Sequence, residues 1–345
     1  MSKTTTEFIS AANVADYNTS HYIHLPVFQE GMLDEIRRDY TILNRIPAVP
    51  ATGYPSRYWE QTKLPQNTSF VDVRGGGTGF TGYSKDTIDE DYGRVEKALY
   101  LKCQVSRIKF TLFDKEIVQQ QGESVAEALL DKDMRDMIVQ FYRKKNDAIW
   151  NGTATSPQDS TTIDYCGLLT QIGTAAATIA STDTATKIST VIRTEIAKQV
   201  ADKDWDKKVT AIYANPLTID ILEQELEKEF PGYRFNNQTE ILPGVTVTSI
   251  VTQAGRIPII PDTYLPIKDV MGTGESASTV VKKVHHFVLM NEKMVERHYL
   301  TTPEPRVYKM GINKELLDDY IAICFDAIVL KGHSAFIVDK EVAVA

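Results

Sequence analysis

Glu123-Ser-Val-Ala-Glu-Ala-Leu-Leu-Asp-Lys-Asp-Met-Arg-Asp-Met-Ile-Val-Gln-Phe-Tyr-Arg-Lys-Lys-Asn-Asp-Ala-Ile-Trp-Asn-Gly152 is the most strongly patterned stretch of the chain. Val125, Leu129, Leu130, Met134, Met137, Ile138 and Phe141 recur at spacings of three, four and five, the period at which one face of an α-helix repeats. Gly122 precedes the run, and Ser124 is a candidate cap just inside it. Asn151-Gly152 supplies the residue types that take the left-handed conformation closing a helix. The pattern predicts a helix over 123–150, about 28 residues and roughly 40 Å at 1.5 Å per residue. A helix of that length spans a domain.

On its N-terminal side the pattern changes to strands. Ser69-Phe-Val-Asp-Val73, a glycine-rich turn and Leu99-Tyr-Leu-Lys-Cys-Gln-Val105 read as a long hairpin with a wide, polar tip. Residues 1–60 hold little periodicity beyond a short helical stretch at 28–40, and Pro47, Pro50 and Pro55 punctuate the part after it. This is an extended arm, whose scattered Tyr22, Ile23, Leu25, Val27 and Phe28 must lie on another surface. On the C-terminal side a Ser/Thr/Pro loop (153–162) leads to helices at 187–201 and 216–230. Strands are expected at 208–213, 245–251, 257–260, 285–291, 320–329 and 335–338. No internal repeat is present. Helices and strands do not alternate regularly enough for a barrel or a doubly wound sheet, so the expected class is α+β.

Composition sets the outer bounds. A chain of 345 residues, 42% hydrophobic and 24% charged, buries a substantial core and is too apolar to be disordered. Cys103, Cys166 and Cys324 match no zinc or redox spacing and read as buried thiols of a reducing compartment. The start of the chain lacks a signal pattern, and no apolar run approaches the ~20 residues of a membrane span. We therefore expect a cytoplasmic product with no membrane partner. The formal charge of −8 is opposite to what phosphate neutralisation requires, which argues against dedicated sequence-specific DNA binding.

Each motif that might carry chemistry fails in context. Gly77-Thr-Gly79-Phe-Thr-Gly82 fits a dinucleotide-binding turn, but 83–93 has no apolar helical face, and Asp86, Asp89, Glu90 and Asp91 would repel a pyrophosphate. Gly332-His-Ser334-Ala-Phe336 resembles a nucleophile elbow with Phe336 in place of its last glycine, and no histidine follows it. His285 and His286 are adjacent, so in a strand they face opposite ways and cannot share a metal ion, even with His298 nearby; one buried and one exposed histidine is expected. Glu223, Glu225, Glu227 and Glu229 read as the solvated face of a helix whose inward stripe is Ile219, Leu222 and Leu226. No phosphate loop and no metalloprotease helix is present. We expect no catalytic site, no metal and no cofactor.

The order of arm, hairpin, long helix, mixed unit and returning strands resembles the major capsid proteins of tailed bacteriophages, a fold shared with encapsulins and herpesvirus capsid floors. Phe110-Thr-Leu-Phe-Asp-Lys-Glu-Ile-Val118 is similar to that family's lead-in to its spine helix. Lys145-Asn-Asp-Ala-Ile-Trp-Asn-Gly152 with Gly167-Leu-Leu-Thr-Gln171 is similar to its exit. Ala211-Ile-Tyr-Ala-Asn-Pro-Leu-Thr218 and Gly255-Arg-Ile-Pro-Ile-Ile-Pro-Asp262, with Leu265-Pro266, resemble strands and a helix of its axial domain. The resemblance runs from about residue 62 to the C-terminus.

It implies an N-terminal arm (1–61), an extended hairpin loop (62–112), a peripheral domain (113–166) with spine helix 123–150, an axial domain (167–300) and a return to the peripheral domain (301–345). It also implies a non-enzymatic subunit that assembles with itself into pentamers and hexamers of an icosahedral head around double-stranded DNA. Scaffolding, portal and decoration proteins are the implied further partners, and assembly is expected in the bacterial cytoplasm. The loop would lie across a neighbouring subunit, placing Gly77, Gly79, Phe80, Tyr83 and Lys85 at the contact. Some relatives carry a long removable N-terminal segment; the short arm here implies an unprocessed chain. Other relatives cross-link through a lysine and an asparagine, and Lys85 lies in the hairpin where such a lysine could sit, but no asparagine or acid here matches it. The alternative on the same fold is an encapsulin-type compartment enclosing a cargo enzyme.

Overall fold

The computed structural model describes residues 42–61, 93–113, 116, 123–175, 179–181, 187–202, 208–229, 238–242, 245–271, 280–312, 316–332 and 335–343. Along the chain its strands are β1 (Ala48–Pro50), β2 (Ser56–Gln61), β3 (Arg94–Leu99), β4 (Lys102–Thr111), β5 (Ile179–Ser181), β6 (Ala211–Ala214), β7 (Gln238–Leu242), β8 (Val245–Thr252), β9 (Gly255–Pro261), β10 (Ile267–Met271), β11 (Val280–Met290), β12 (Val295–Tyr299), β13 (Arg306–Ile312), β14 (Leu317–Leu330) and β15 (Phe336–Ala343). Its helices are α1 (Glu123–Asn151), α2 (Leu168–Ala175), α3 (Ile188–Val200) and α4 (Pro216–Glu229). They fall into two compact units. The smaller holds residues 103–145 and 304–324; the larger takes the remaining described residues.

In the smaller unit β4 and β13 pair with the first half of β14. Met137 and Phe141 of α1 close on Ala322 and Cys324 of β14 and on Ile108 of β4, which is the buried face that the helical period announces. Lys145, one turn further along, is 1% exposed. Its ammonium lies 5.3 Å from the centre of the Phe141 ring and its Nζ is 3.4 Å from Cys324 Sγ. Arg107 pairs with Asp319, and Lys309 reaches Asp318 at 3.2 Å while lying over the Tyr320 ring. Gly311 sits at a β-bulge with φ +81°, a conformation that favours glycine.

The larger unit is built on a sheet of order β5-β15-β11-β6-β9-β8-β7, with β10 also on β11. Parallel pairs (β6 with β9, β5 with β15) sit among antiparallel ones. Ala211, Ile212, Tyr213 and Ala214 of the central β6 are all buried, as a strand covered on both faces requires. Ile188, Ile192 and Ile196 of α3 and Leu222 and Leu226 of α4 pack on Ile250, Ile259, Phe287 and Leu289. At full burial each such side chain contributes roughly 1.5–3 kcal/mol. Elsewhere in this unit β1 and β12 pair in parallel, and β12 pairs with the second half of β14.

Several expectations need correcting. Residues 99–105 are not one strand: β3 ends at Leu99 and pairs with β2, whereas β4 starts at Lys102 and pairs with β14. Leu99 and Leu101 bury in one cluster, so the apolar alternation runs straight through a change of partner that no pattern can show. The other expected hairpin strand, 69–73, and the helix at 28–40 lie outside the described residues. Within the segment read as an arm, Ile42, Leu43 and Ile46 are buried and β1 is paired. Cys103 is exposed, against the expectation of three buried thiols. His286 is as buried as His285, because β11 is covered on both faces from His285 to Met290. Glu223 is buried and Glu225 caps the start of α3, accepting from Ile188 N at 3.0 Å and from Ser189 N and Oγ, so these two acids leave the expected solvated face, on which Glu227 stays exposed.

Candidate functional site

β2 and β3 form a two-stranded antiparallel ribbon in which Ser56 pairs with Leu99 and Gln61 with Arg94. Alternation along Ser-Arg-Tyr-Trp-Glu-Gln gives the ribbon two unlike faces. The inner face carries Ser56, Tyr58 and Glu60; the outer carries Arg57, Trp59 and Gln61 with Ala98, Glu96 and Arg94 opposite them. Because Gln61 and Arg94 are direct partners, residues 62–92 leave and return at the same end of the ribbon.

The inner face is latched. Tyr58 and Leu99 pack with Leu101, Ala327 and Val329, and the ammonium of Lys331 lies 5.5 Å from the centre of the Tyr58 ring. Burial, then the nearby Glu60 carboxylate, pushes the Tyr58 hydroxyl up to about 12. Glu60 accepts from Gly332 N at 3.0 Å and pairs with Lys97. Ser56 Oγ meets His298 Nδ1 at 2.9 Å, His298 Nε2 meets Glu296 at 3.1 Å, and Glu296 pairs with Lys331. Burial holds His298 below the ordinary imidazole value, outweighing the pull of Glu296. Burial also pushes Glu296 upward, but Lys331 and His298 together hold it below the usual carboxylate range.

Serine, histidine and glutamate in sequence are the elements of a nucleophile relay. Ser56 is only 2% exposed, however, and leaves no room for a substrate. The arrangement fastens the ribbon; it does not offer a nucleophile.

The outer face exposes its aromatic residue. Trp59 is 68% exposed, and Arg57 bonds across the ribbon to Glu96 at 3.1 Å. A large aromatic flanked by arginines is the composition of interface hot spots.

A second structure, the joint where α1 ends, lies within the larger unit. Trp150 Nε1 donates to Asp262 at 3.0 Å and the indole packs on Tyr213, 5.7 Å between ring centres. Gly152 and Gly167 come together so closely that a Cβ on either would stand 2.4–2.6 Å from backbone atoms of Tyr165, Ala148, Trp150 or Gly152. The Gln171 amide donates to Cys166 O at 2.7 Å and Ile328 O at 3.1 Å and accepts from Leu330 N at 2.9 Å. Asn215 caps α4 through Leu217 N and ties it to Leu265 O at 2.9 Å. The end of α1, the starts of α2 and α4, and the strands β6 and β14 are thus the parts of one packed joint.

Of the residues expected to act, Gly77, Gly79, Phe80, Tyr83 and Lys85 lie outside the described residues, as do His333 and Ser334. His285 Nδ1 bonds Thr218 at 2.9 Å, and His286 pairs with Asp339. Burial, then Lys283 and His286, holds His285 below its ordinary value. His298 belongs to the ribbon latch instead, so the structure separates the three histidines by role. Among the described residues no group of three or more His, Cys, Asp or Glu is placed to hold a metal, and no helix is long and apolar enough to cross a membrane. Sequence reasoning missed Ser56, Tyr58 and Trp59. Their alternation was the available signal, but six residues amid prolines fell within the stretch read as arm.

Residues 109–306 match the family described as SU10 major capsid protein. A comparison with curated proteins finds no match. The fold is similar to that of the cyanophage A-1(L) capsid (TM-score 0.58, 11% identity, 91% of this chain and 96% of that one). It is similar to that of Mycobacterium phage Adephagia (TM-score 0.57, 12% identity, 98% and 99%). The holo-SrpI encapsulin complex from Synechococcus elongatus shares it too (TM-score 0.57, 11% identity, 94% of each chain).

Proposed function

This chain belongs to the SU10 major capsid protein family and is a capsid shell subunit, and from that premise we propose that its copies form the wall of an icosahedral phage head around double-stranded DNA. In this reading residues 62–92, carried outward from the β2–β3 ribbon, lie across a neighbouring copy. Gly77, Gly79, Phe80, Tyr83 and Lys85 make the contact, and copies gather into pentamers and hexamers. The arm, peripheral and axial divisions anticipated from the sequence belong to the same proposal. So do a structural rather than catalytic role, assembly in the bacterial cytoplasm, and scaffolding, portal and decoration partners. DNA is held without sequence readout, in keeping with a net charge of −8.

The match over residues 109–306, which takes in α1, most of the joint and most of the larger unit, carries the reading. An encapsulin-type compartment shares the fold, but the family that matches is a capsid protein.

The pairing of Gln61 with Arg94 sets the test. Replacing residues 62–93 by Asn-Gly closes the ribbon as a tight hairpin. The full chain is expected to give closed shells by electron microscopy, and the shortened chain a folded, cooperatively melting subunit that gives none. Closed shells from the shortened chain would remove the loop from the assembly mechanism.

A further inference from the structure

Asn151-Gly152 is the only Asn-Gly pair in the chain. In such a pair the backbone nitrogen after the asparagine can attack the asparagine's own side-chain carbonyl carbon, because glycine brings no Cβ to obstruct it and its backbone folds back freely. A bond forms between Gly152 N and Asn151 Cγ, the Cγ–Nδ2 bond breaks, and the proton of the attacking nitrogen leaves with the side-chain amide as ammonia. Water then opens the five-membered succinimide to aspartate or to isoaspartate. The reaction needs no reagent beyond water.

The fold holds each reacting group elsewhere. Asn151 ends α1 with its side chain exposed, but its Nδ2 donates to Asp147 Oδ1 at 2.9 Å and to Tyr264 O at 3.1 Å. Gly152 N donates to Ala148 O at 2.9 Å, the last rung of the helix. Gly152 itself is buried, with Tyr165 O and Ala148 O too near to admit a Cβ, and its carbonyl accepts from Gly167 N at 3.2 Å. The ring closes only after the nitrogen has left Ala148 O and the side chain has left its two acceptors.

The products do not fit back. Aspartate at 151 sets a carboxylate against that of Asp147, one turn earlier, at the helix end where negative charge is least favoured. Isoaspartate adds a carbon to the main chain directly before Gly152, where the crossing with Gly167 has no slack.

We propose that Asn151 is a guarded deamidation site. The joint keeps it an amide in the folded chain, and whenever the end of α1 stands open it converts to an acid that bars the joint from closing again. Chains left unfolded are thereby retired irreversibly. The guard is a property of the folded subunit and stands independently of the shell reading.

To test it, the full chain is incubated at one mildly alkaline pH in buffer and, in parallel, in enough urea to keep it unfolded. Conversion at every asparagine is followed by peptide mapping, with fragmentation that separates isoaspartate from aspartate. In urea Asn151 is expected to convert faster than every other asparagine. In buffer its conversion should be slower by about tenfold or more, the factor that follows from a local opening cost of about 1.4 kcal/mol. Like rates in the two solutions, or no preference for Asn151 in urea, would overturn the guard. The irreversible half is tested by variants made directly. Asn151→Asp is expected to melt below Asn151→Ser, which loses the same amide without gaining a charge, or to fail to fold where Asn151→Ser folds. Equal melting of the two overturns the claim that the acid bars closure.

Discussion

The joint at the end of α1 and the ribbon at the root of residues 62–92 are both held by a few named side chains, but in opposite ways. At the joint Trp150, Asp262, Gln171, Gly152 and Gly167 meet one another or neighbouring backbone at close range. The ribbon is fastened on one face by titratable groups and left open on the other, with Trp59 mostly exposed. A region that serves the fold satisfies its own polar groups and fills its own space. A region that serves a partner keeps an unfilled face and a fastening that conditions can loosen.

The sharpest way to break this contrast is at the joint's glycines. Gly167→Ala puts a Cβ within 2.6 Å of Trp150 O and Gly152 N, and backbone there cannot swing aside as a flexible side chain would. We expect a loss of about 3 kcal/mol or an insoluble product, because overpacking of this kind typically costs 1–3 kcal/mol and more where nothing gives. A variant that melts like the parent in chemical denaturation would show that the joint is looser than its distances state.

Gln171→Leu should come next. The substitution keeps the volume but strands Leu330 N and the carbonyls of Cys166 and Ile328 in a buried place. Unsatisfied buried polar groups cost about 1–3 kcal/mol each, and the apolar leucine side chain returns about 1.5–3 kcal/mol by its burial, so we expect a net loss of about 2 kcal/mol, read from the urea midpoint at unchanged slope. A neutral result would mean that β14 does not depend on this amide.

The sequence exposed the joint better than the ribbon, for a physical reason. The joint lies at the end of a strongly periodic helix that closes on Trp150-Asn-Gly152, with Gly167 fifteen residues on after a short loop. What the sequence hid was the use of the polar residues. Nothing in its pattern says that Lys145 is buried on Phe141 or that Gln171 reaches β14. The ribbon and β1 depend on partners distant in sequence, Arg94–Leu99 for one and Val295–Tyr299 for the other. Side-chain periodicity marks a face, never a partner, so their prolines made them look like arm. The adjacent histidines show the limit of period-2 reasoning: His285 and His286 belong to opposite faces as expected, but both faces are covered.

The third effect is smaller and depends on pH. His298 sits below its ordinary value of 6.5, chiefly through burial, so the docked ribbon binds its proton less readily than the free chain does. Its contribution is complete above about 6.5 and falls as the pH drops below that value. Glu296 has a lowered carboxyl, so its contribution is present above its unfolded value of 4.5 and is lost as the pH falls through its folded one. Both groups act in the same direction, and acid loosens the inner face. Hydrogen-exchange protection of residues 56–61 and 94–99, taken relative to the intrinsic rate at each pH, should fall between pH 7 and pH 5 (roughly the span over which a histidine titrates) more than protection across β6. In His298→Gln the extra sensitivity should shrink. Equal loss of protection in both regions would mean that the ribbon is not separately latched.

The smallest expected effect concerns the ribbon's outer face. The Arg57–Glu96 pair is exposed, with side chains 67% and 38% accessible, and such pairs contribute about 0–1 kcal/mol. Glu96→Gln should therefore shift the unfolding free energy by less than about 0.5 kcal/mol. It should also leave the outer face more positive, since the acid that faces Arg57 across the ribbon is gone. A Tyr58→Ala change on the inner face reverses the pattern, since it opens a buried cluster and costs about 3 kcal/mol or more. Measuring both variants by denaturation and by light scattering separates the faces. If Glu96→Gln destabilised the subunit as much as Tyr58→Ala, the outer face would belong to the fold and the contrast between ribbon and joint would fail.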